Sequence, residues 1–491
     1  MQQHEIYERA RLSRDARFDG QFFVGVKTTG IYCRPICPAV APKSENVTFY
    51  PSAAAAGEAG FRPCLRCRPE CAPGTPAWSG TSTTVRRGLR LISNGALDDG
   101  SIEQLADRLG VTSRHLRRLF TKHLGASPLA VAHTQRLHFA KRLIDQTDLP
   151  LSHIAEAAGY GSVRRFNDSF KKTYDRTPRD LRRNREESFD HDSPLTVRLP
   201  YRRPFSWSSA ISFLAARATP GVEQVTSDAY FRTVLIAGKP GIIECRHDDR
   251  KDSVSLTLHG IATAEIFQVV QRVRGMFDLD APVGDIENAL SNDPKLAKII
   301  RHKPGVRVPG VWDGFELSVR AILGQQVSVK AATTLAGRIA KRYGTAVKLP
   351  ASLLACSDEV TLNRMFPAAE KLARARFNEI GLVSSRAETI RRVASAAARG
   401  DIDFDDAQDP HGFCSSLMSI RGIGEWTAHY VAMRALKFPD AFPASDLGLL
   451  KAASDQEKMR PVELKRRAES WRPWRAYAAL LLWSSLPGSG G

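Results

Sequence analysis

The sequence predicts a multidomain α+β protein, and three observations carry that prediction. Five of its eight cysteines fall before residue 72, in two close pairs with a fifth just beyond. Residues 101–128 are echoed by residues 151–178, each copy reading as two short helices around a turn. Farther on, "LTVRL" (195–199) and "VSLTLHG" (254–260) alternate apolar and polar residues, the period of half-buried strands, whereas from about 285 the apolar spacing is helical. At 491 residues the chain exceeds what one hydrophobic core organises, so roughly three or four domains are expected. A hydrophobic content of 43% and an aromatic content of 8% exclude a disordered chain. "CAPGTPAWSGTSTT" (71–84) and the charged run "RRNREESFDHDSP" (182–194) read as linkers. The expected sections are a small four-cysteine zinc domain over 1–78, an all-α tandem helix-turn-helix domain over 84–184, an α/β antiparallel-sheet subdomain over 195–284, and a mostly α domain over 285–487.

The first section is defined by "TTGIYCRPICP" (28–38) and "FRPCLRCRP" (61–69). Cys33 and Cys37 form one ligand pair and Cys64 and Cys67 another, at spacings that suit one tetrahedral Zn(II). Pro35, Pro38 and Pro63 stiffen the turns that point the sulfurs inward. Metal binding of about 10 kcal/mol stabilises a domain otherwise short of core. Cys71 is close enough to compete as a ligand, although two tight pairs already complete the set. Cys245, Cys356 and Cys414 are scattered and read as packing residues. "MQQHEIYERARLSRDARF" has no hydrophobic signal core and no apolar run spans a bilayer, so a reducing cytoplasm is expected, where clustered cysteines favour metal over disulfides. On spacing alone the cluster reads as an inert zinc knuckle.

A larger stretch, "FFVGVKTTGIYCRPICP…ENVTFY…AGFRPCLRCRPE", resembles the N-terminal domain of the Ada-type methylation-damage sensors of bacteria. The resemblance implies that Cys33, besides binding zinc, accepts a methyl group from methyl phosphotriesters in DNA. Four thiolates around a divalent cation carry a formal charge of about −2, and methylation of one leaves about −1. Weaker repulsion from phosphates then raises affinity for DNA. That family continues into an alkylguanine transferase with a Pro-Cys-His-Arg motif, which none of the three late cysteines matches.

The repeat has the grammar of a DNA reader. Its turns contain Gly110 in one copy and Gly159 and Gly161 in the other, and its second helices are expected at about 113–123 and 162–173. These helices carry Arg114, His115, Arg117 and Arg118, then Arg164, Arg165, Asn167 and Lys171, with Leu116, Leu119, Phe120, Phe166 and Phe170 as the buried face. A solvated basic face would explain one such hairpin; duplication on a chain of formal charge +19 favours nucleic acid, ahead of an anionic membrane surface. The section resembles the tandem helix-turn-helix domain of AraC-type transcription regulators, with one departure: Asp175 stands where the repeat and the family favour Gly, as at Gly125. Asp tolerates a left-handed backbone better than most residues, so the turn is expected to survive.

The last section contains "GFELSVRAILGQQVS" (314–328), "LMSIRGIGEWTAHYVAMRAL" (417–436) and "AFPASDLGLLKAA" (441–453). Gly422 and Gly424 form a tight turn between helices, where backbone amides can approach a phosphate. On local grounds Asp446 is a helix N-cap ahead of "LGLLKAA". From "YRRPFSWSSAISFLAARATPGVE" to "WRPWRAYAALLLW", however, the chain resembles the helix-hairpin-helix DNA glycosylases of the AlkA type. The resemblance implies that Asp446 is the catalytic carboxylate, stabilising an oxocarbenium-like sugar as an alkylated base leaves. Trp426 and Trp483 match the aromatic pocket for the extruded base, and Gln326 lies in the loop that fills the gap in the duplex. Trp471 and Trp474 are expected in the core. Trp426 also takes the place of the Schiff-base lysine of bifunctional relatives, so hydrolysis without strand cleavage is expected.

Together these readings predict an alkylation-response protein that binds one Zn(II), takes methyl groups from phosphotriesters, activates transcription, and excises bases such as 3-methyladenine. The partners expected are alkylated and operator double-stranded DNA and RNA polymerase, with no membrane; the location is cytoplasmic, at the bacterial nucleoid. The alternative is a non-enzymatic transcription factor with structural zinc and an inactive glycosylase-like domain.

Overall fold

A computed structural model describes residues 2–72, 83–98, 100–182, 194–350, 353, 360–378, 380–404, 409–454 and 459–486. The linkers read at 71–84 and 182–194 lie largely outside the described residues, as does Cys356. No helix among the described residues is long and apolar enough to cross a membrane.

Near the N-terminus, strands β1 (Phe23–Val26), β2 (Ile31–Cys33), β3 (Val47–Tyr50) and β4 (Arg62–Pro63) form one sheet in the order β3-β1-β2-β4. Gly30, at φ +64, supplies the left-handed residue that turns β1 into β2 and sets Cys33 opposite Val24. β4 runs parallel to β2, pairing Tyr32 with Pro63, and the Cys64 N–H donates to the Tyr32 carbonyl at 3.0 Å. Strand pairing thus carries the second cysteine pair to the first. The apolar clusters here are thin, one around Phe22 and Val24 and another around Phe23 and Tyr32, as expected of a module that relies on metal.

In the first copy of the repeat the helices Ile102–Arg108 and Ser113–Leu124 are capped by Ser101, in a capping box with Gln104, and by Thr112. The second copy has Leu151–Ala157 and Val163–Tyr174, the latter capped by Ser162. Leu116, Phe120 and Leu124 bury the inner face of one recognition helix, and Phe166, Phe170 and Tyr174 that of the other; Leu119 is half-buried. Asp175 ends the second helix at φ +58, as Gly125 ends the first at φ +68. The expected turn survives the substitution. A long helix, Pro128–Gln146, joins the copies.

The cysteine module rests on these helices. Tyr32 Oη lies 2.9 Å from His138 Nε2, Ser52 Oγ donates to the Leu124 carbonyl at 2.8 Å, and Glu58 accepts from Ser127 Oγ at 2.9 Å. Gly125 faces Pro51 and Ala55, and the Asp175 carboxylate meets Arg62 at 2.6 Å.

The C-terminal half opens with β5 (Leu195–Pro200), β6 (Glu223–Val225), β7 (Ala229–Ile236), β8 (Lys239–Asp248) and β9 (Ser253–His259), an antiparallel sheet in the order β5-β9-β8-β7-β6. "LTVRL" and "VSLTLHG" are β5 and β9, paired through Val197 and Leu256. Helices Trp207–Ala215 and Ile266–Met276 share one apolar cluster with the sheet and with Leu137, Phe139 and Phe166 of the repeat. Cys245 is buried in it. A second, larger cluster organises the helices after residue 280 and includes Trp471, Trp474 and Cys414. Sheet and helices are stitched by buried charges: Arg320 on helix Gly314–Leu323 contacts Glu223 at 2.7 Å and Glu316 at 3.0 Å, and Arg232 contacts Glu223 at 3.0 Å. Such a network fixes orientation more than it adds stability.

Candidate metal centre and aromatic pocket

The Sγ atoms of Cys33, Cys37, Cys64 and Cys67 all lie within 4.8 Å of one another. A tetrahedral Zn(II) with Zn–S bonds of about 2.3 Å has S···S edges of about 3.8 Å, so the donor set and its size fit. Cys71, which could have competed, is not part of this group. The Arg34 backbone N–H donates to the Cys67 sulfur at 3.3 Å. Cys64 and Cys67 are buried, whereas Cys33 and Cys37 are half-buried. The Arg34 side chain also holds the Cys67 carbonyl at 3.2 Å and the Asp19 carboxylate at 2.8 Å, which sets a guanidinium beside the sulfurs.

The basic residues of both recognition helices, Arg114, Arg117, Arg118, Arg164, Arg165 and Lys171, are all exposed. Arg117 is 3.6 Å from Glu103, and Arg118 is hydrogen-bonded to His115 at 3.1 Å; neither contact is buried.

In the C-terminal half a cavity of about 740 Å3 is lined by Phe213, Arg217, Trp426, Tyr430, Asp446 and Trp483 among others. Asp446 caps helix Leu447–Ala453, its Oδ1 accepting from Leu449 N–H at 2.8 Å. Each of the two predicted tryptophans donates its indole N–H to the same carboxylate: Trp483 to Oδ1 and Trp426 to Oδ2, both at 2.9 Å. Capping and presentation to the pocket are therefore compatible, because the capping oxygen still faces an indole. Gly448 is tight here, since a Cβ would stand 3.0 Å from Asp446 Oδ1 and 3.4 Å from the Trp483 ring.

The hairpin beside the pocket joins helices Pro410–Met418 and Glu425–Arg434. Gly422 has φ +101, and a Cβ there would lie 2.1 Å from Thr389 Oγ1. Gly424 caps the second helix with nothing within 4 Å of its Cβ position. Gln326 is exposed at φ +56, and its neighbour Gln325 donates to the Gly422 carbonyl at 3.1 Å, which ties this loop to the hairpin turn.

Known families match four stretches: the metal binding domain of Ada at 7–70, a helix-turn-helix domain at 105–184, the AlkA N-terminal domain at 196–313, and the HhH-GPD superfamily base excision DNA repair protein at 319–476. A Mycobacterium tuberculosis protein, "Probable bifunctional transcriptional activator/DNA repair enzyme AlkA", is 40% identical over 98% of this chain and 97% of its own. The chain belongs to the AlkA family of bifunctional transcriptional activator/DNA repair enzymes. The "DNA-3-methyladenine glycosylase 2" of Escherichia coli is 31% identical over 58% of this chain and 95% of its own. A solved 3-methyladenine DNA-glycosylase from Archaeoglobus fulgidus aligns with 59% of this chain and 97% of its own at a TM-score of 0.51 and 22% identity, which shows a shared fold. In this AlkA-family chain the four-cysteine cluster is the site of a single zinc ion.

Sequence reasoning passed over Tyr430 in the AlkA-family pocket. Its ring stacks on Trp426 at 5.3 Å and 6°, and its Oη accepts from Arg434 Nη1 at 3.0 Å. The signal was present, since Trp426 and Tyr430 are four apart on one helix and so share a face. Burial alone would raise the phenol's pKa, but the guanidiniums of Arg434 and Arg217 outweigh it and bring it down to about 8. Tyr430→Phe is expected to remove a phenolate absorbance step near pH 8. Between that pH and the usual tyrosine value of about 10 the unfolded chain holds the proton and the folded one does not, so stability rises with pH there. The Phe variant should lose that rise in a pH series of denaturant titrations.

Proposed function

We propose that the protein is a dual alkylation-response enzyme: a monofunctional glycosylase that excises alkylated bases such as 3-methyladenine, joined to a phosphotriester methyl acceptor that turns on transcription. The observation that carries the glycosylase reading is the meeting of Trp426, Trp483 and Asp446. The two indoles aim the carboxylate while their faces line the space a flipped, electron-poor base would occupy. Stacking on Trp426 and Trp483 favours a cationic base over a neutral one by about 1–2 kcal/mol where water is excluded. Asp446 would stabilise the positive sugar as the C–N bond breaks and orient the water that replaces the base. The hairpin amides at Gly422–Gly424 would hold a backbone phosphate, and Gln326 would enter the gap left by the base. With an indole at position 426, no imine with the sugar forms there.

For the sensor, zinc when bound keeps its cysteine ligands ionised. Cys33 is the acceptor in this reading, by the resemblance to the Ada-type domain: it is half-buried, whereas Cys64 and Cys67 are buried and the Arg34 amide bonds the Cys67 sulfur. Its Sγ attacks the methyl carbon of a phosphotriester, the C–O bond breaks, and a phosphodiester anion leaves. One negative charge passes from the protein to the repaired DNA, and the cluster then repels phosphates less. The exposed arginines and Lys171 of the recognition helices would contact operator DNA, with RNA polymerase as the protein partner of activation.

The test of the glycosylase half is chromatography of bases released from methylated duplex DNA by the full chain. Release of 3-methyladenine, with strands left intact until alkali is added, is the expected result. Strand cleavage without alkali would contradict the monofunctional assignment, and no release would contradict the activity.

A further inference from the structure

Three parts of the chain meet around a second cavity, of about 280 Å3, that neither the metal centre nor the aromatic pocket uses. The cysteine module lends it Glu70, helix Pro128–Gln146 lends His138 and Arg142, and the C-terminal half lends Arg274, Asp280 and Lys437. Most of these charges are mutually satisfied. Arg274 holds Asp280, with Nε 3.1 Å from Oδ2, and Glu70 faces Arg68 at 3.4 Å and Lys141 at 3.6 Å. His138 bonds Tyr32 Oη at 2.9 Å and is kept neutral, its pKa pushed down to about 3 by burial and by Arg142.

Arg142 is the exception. It is 8% exposed, and its Nε is buried with no hydrogen-bond partner among the described residues. Its guanidinium lies 5.6 Å from the centroid of Phe139, which offers a face but no acceptor. Burial, with Arg274 nearby, pulls its pKa down to about 10, so the acids around it compensate its charge incompletely. A buried guanidinium without an acceptor is costly, and its planar fork matches the geometry of an oxyanion. At about 30 Å3 per water, the space admits a phosphate with several waters.

We infer that this cavity binds a small oxyanion of the phosphate class, held by Arg142 with Lys437 as a second cation, and that the bound anion clamps the three parts together. The shared chemistry is a phosphate oxygen; the free anion is the source proposed, and a DNA backbone phosphate is the competing one.

Calorimetric titration of the full chain with inorganic phosphate, against sodium chloride at matched ionic strength, tests this. One saturable site is expected, with a saturable rise in melting temperature. General salting-in or salting-out shifts grow without saturating and act equally on variants. Arg142→Gln should abolish the saturable component without reducing base release, and Arg142→Lys should weaken it about tenfold or more, because a single ammonium replaces the fork. Should Arg142→Gln fail to fold, Lys437→Gln is expected to weaken binding several-fold. Saturating undamaged duplex should leave the phosphate heat unchanged; its loss would assign the cavity to the DNA backbone and overturn the free-anion proposal. Absence of a saturable site in the wild type, or equal binding by a folded Arg142→Gln, also overturns it.

Discussion

Asp446→Asn is expected to lower the rate of base release by about 10²–10³ or more, the scale on which a lost preorganised electrostatic group acts in a low-dielectric site. The fold should survive, because Asn caps helices about as well as Asp and its carbonyl oxygen can still accept from Leu449 N–H. What the variant cannot do is accept from both indoles, since one of its two terminal atoms is a donor. A loss of about 1 kcal/mol of stability is consistent with one lost hydrogen bond. Measuring release alongside a denaturant titration separates the two effects. Equal release by wild type and variant would remove Asp446 from catalysis and leave it a cap.

Cys33→Ser should abolish methyl uptake altogether. With methyl-labelled phosphotriester DNA, the wild-type label is expected on the peptide carrying Cys33, and operator affinity should rise after exposure. In the serine variant no peptide should carry label and the rise should vanish, although three thiolates still hold zinc more weakly. Label on Cys37 or Cys67 of the wild type would show that the acceptor had been misassigned. The comparison is informative because Cys67 is buried and bonded by the Arg34 amide, which makes it the harder sulfur to reach.

The architecture was legible because each part carries its own local grammar. Proline-broken cysteine pairs, a duplicated helix pair with Ser or Thr caps, and period-2 strands such as those of Val197 and Leu256 are decided by neighbours close in sequence. Asp446 and the two tryptophans were legible by resemblance, but their mutual hydrogen bonds were not. Trp426 and Trp483 lie on separate helices, and only the packing of the large C-terminal core brings both indoles to one carboxylate. The same limit hid Arg217, whose charge comes to bear on Tyr430 from another element, whereas Arg434 lies four residues along Tyr430's own helix and was within reach of the sequence. Arg142 shows the limit most clearly. In sequence it is one of many basic residues, and that its buried Nε finds no partner among the described residues depends on three parts of the chain at once.

The turn after each recognition helix has a further consequence. Gly125 abuts Pro51 and Ala55, and Asp175 reaches Arg62, so both turns press on the same small module. The Arg62–Asp175 contact is exposed and worth about 0–1 kcal/mol, too little to matter for stability. Its value is geometric. An N-terminal module that touches the trailing end of both helices acts as a brace between them. Asp in place of Gly then gives the second turn a side chain that meets the module, which a glycine could not supply.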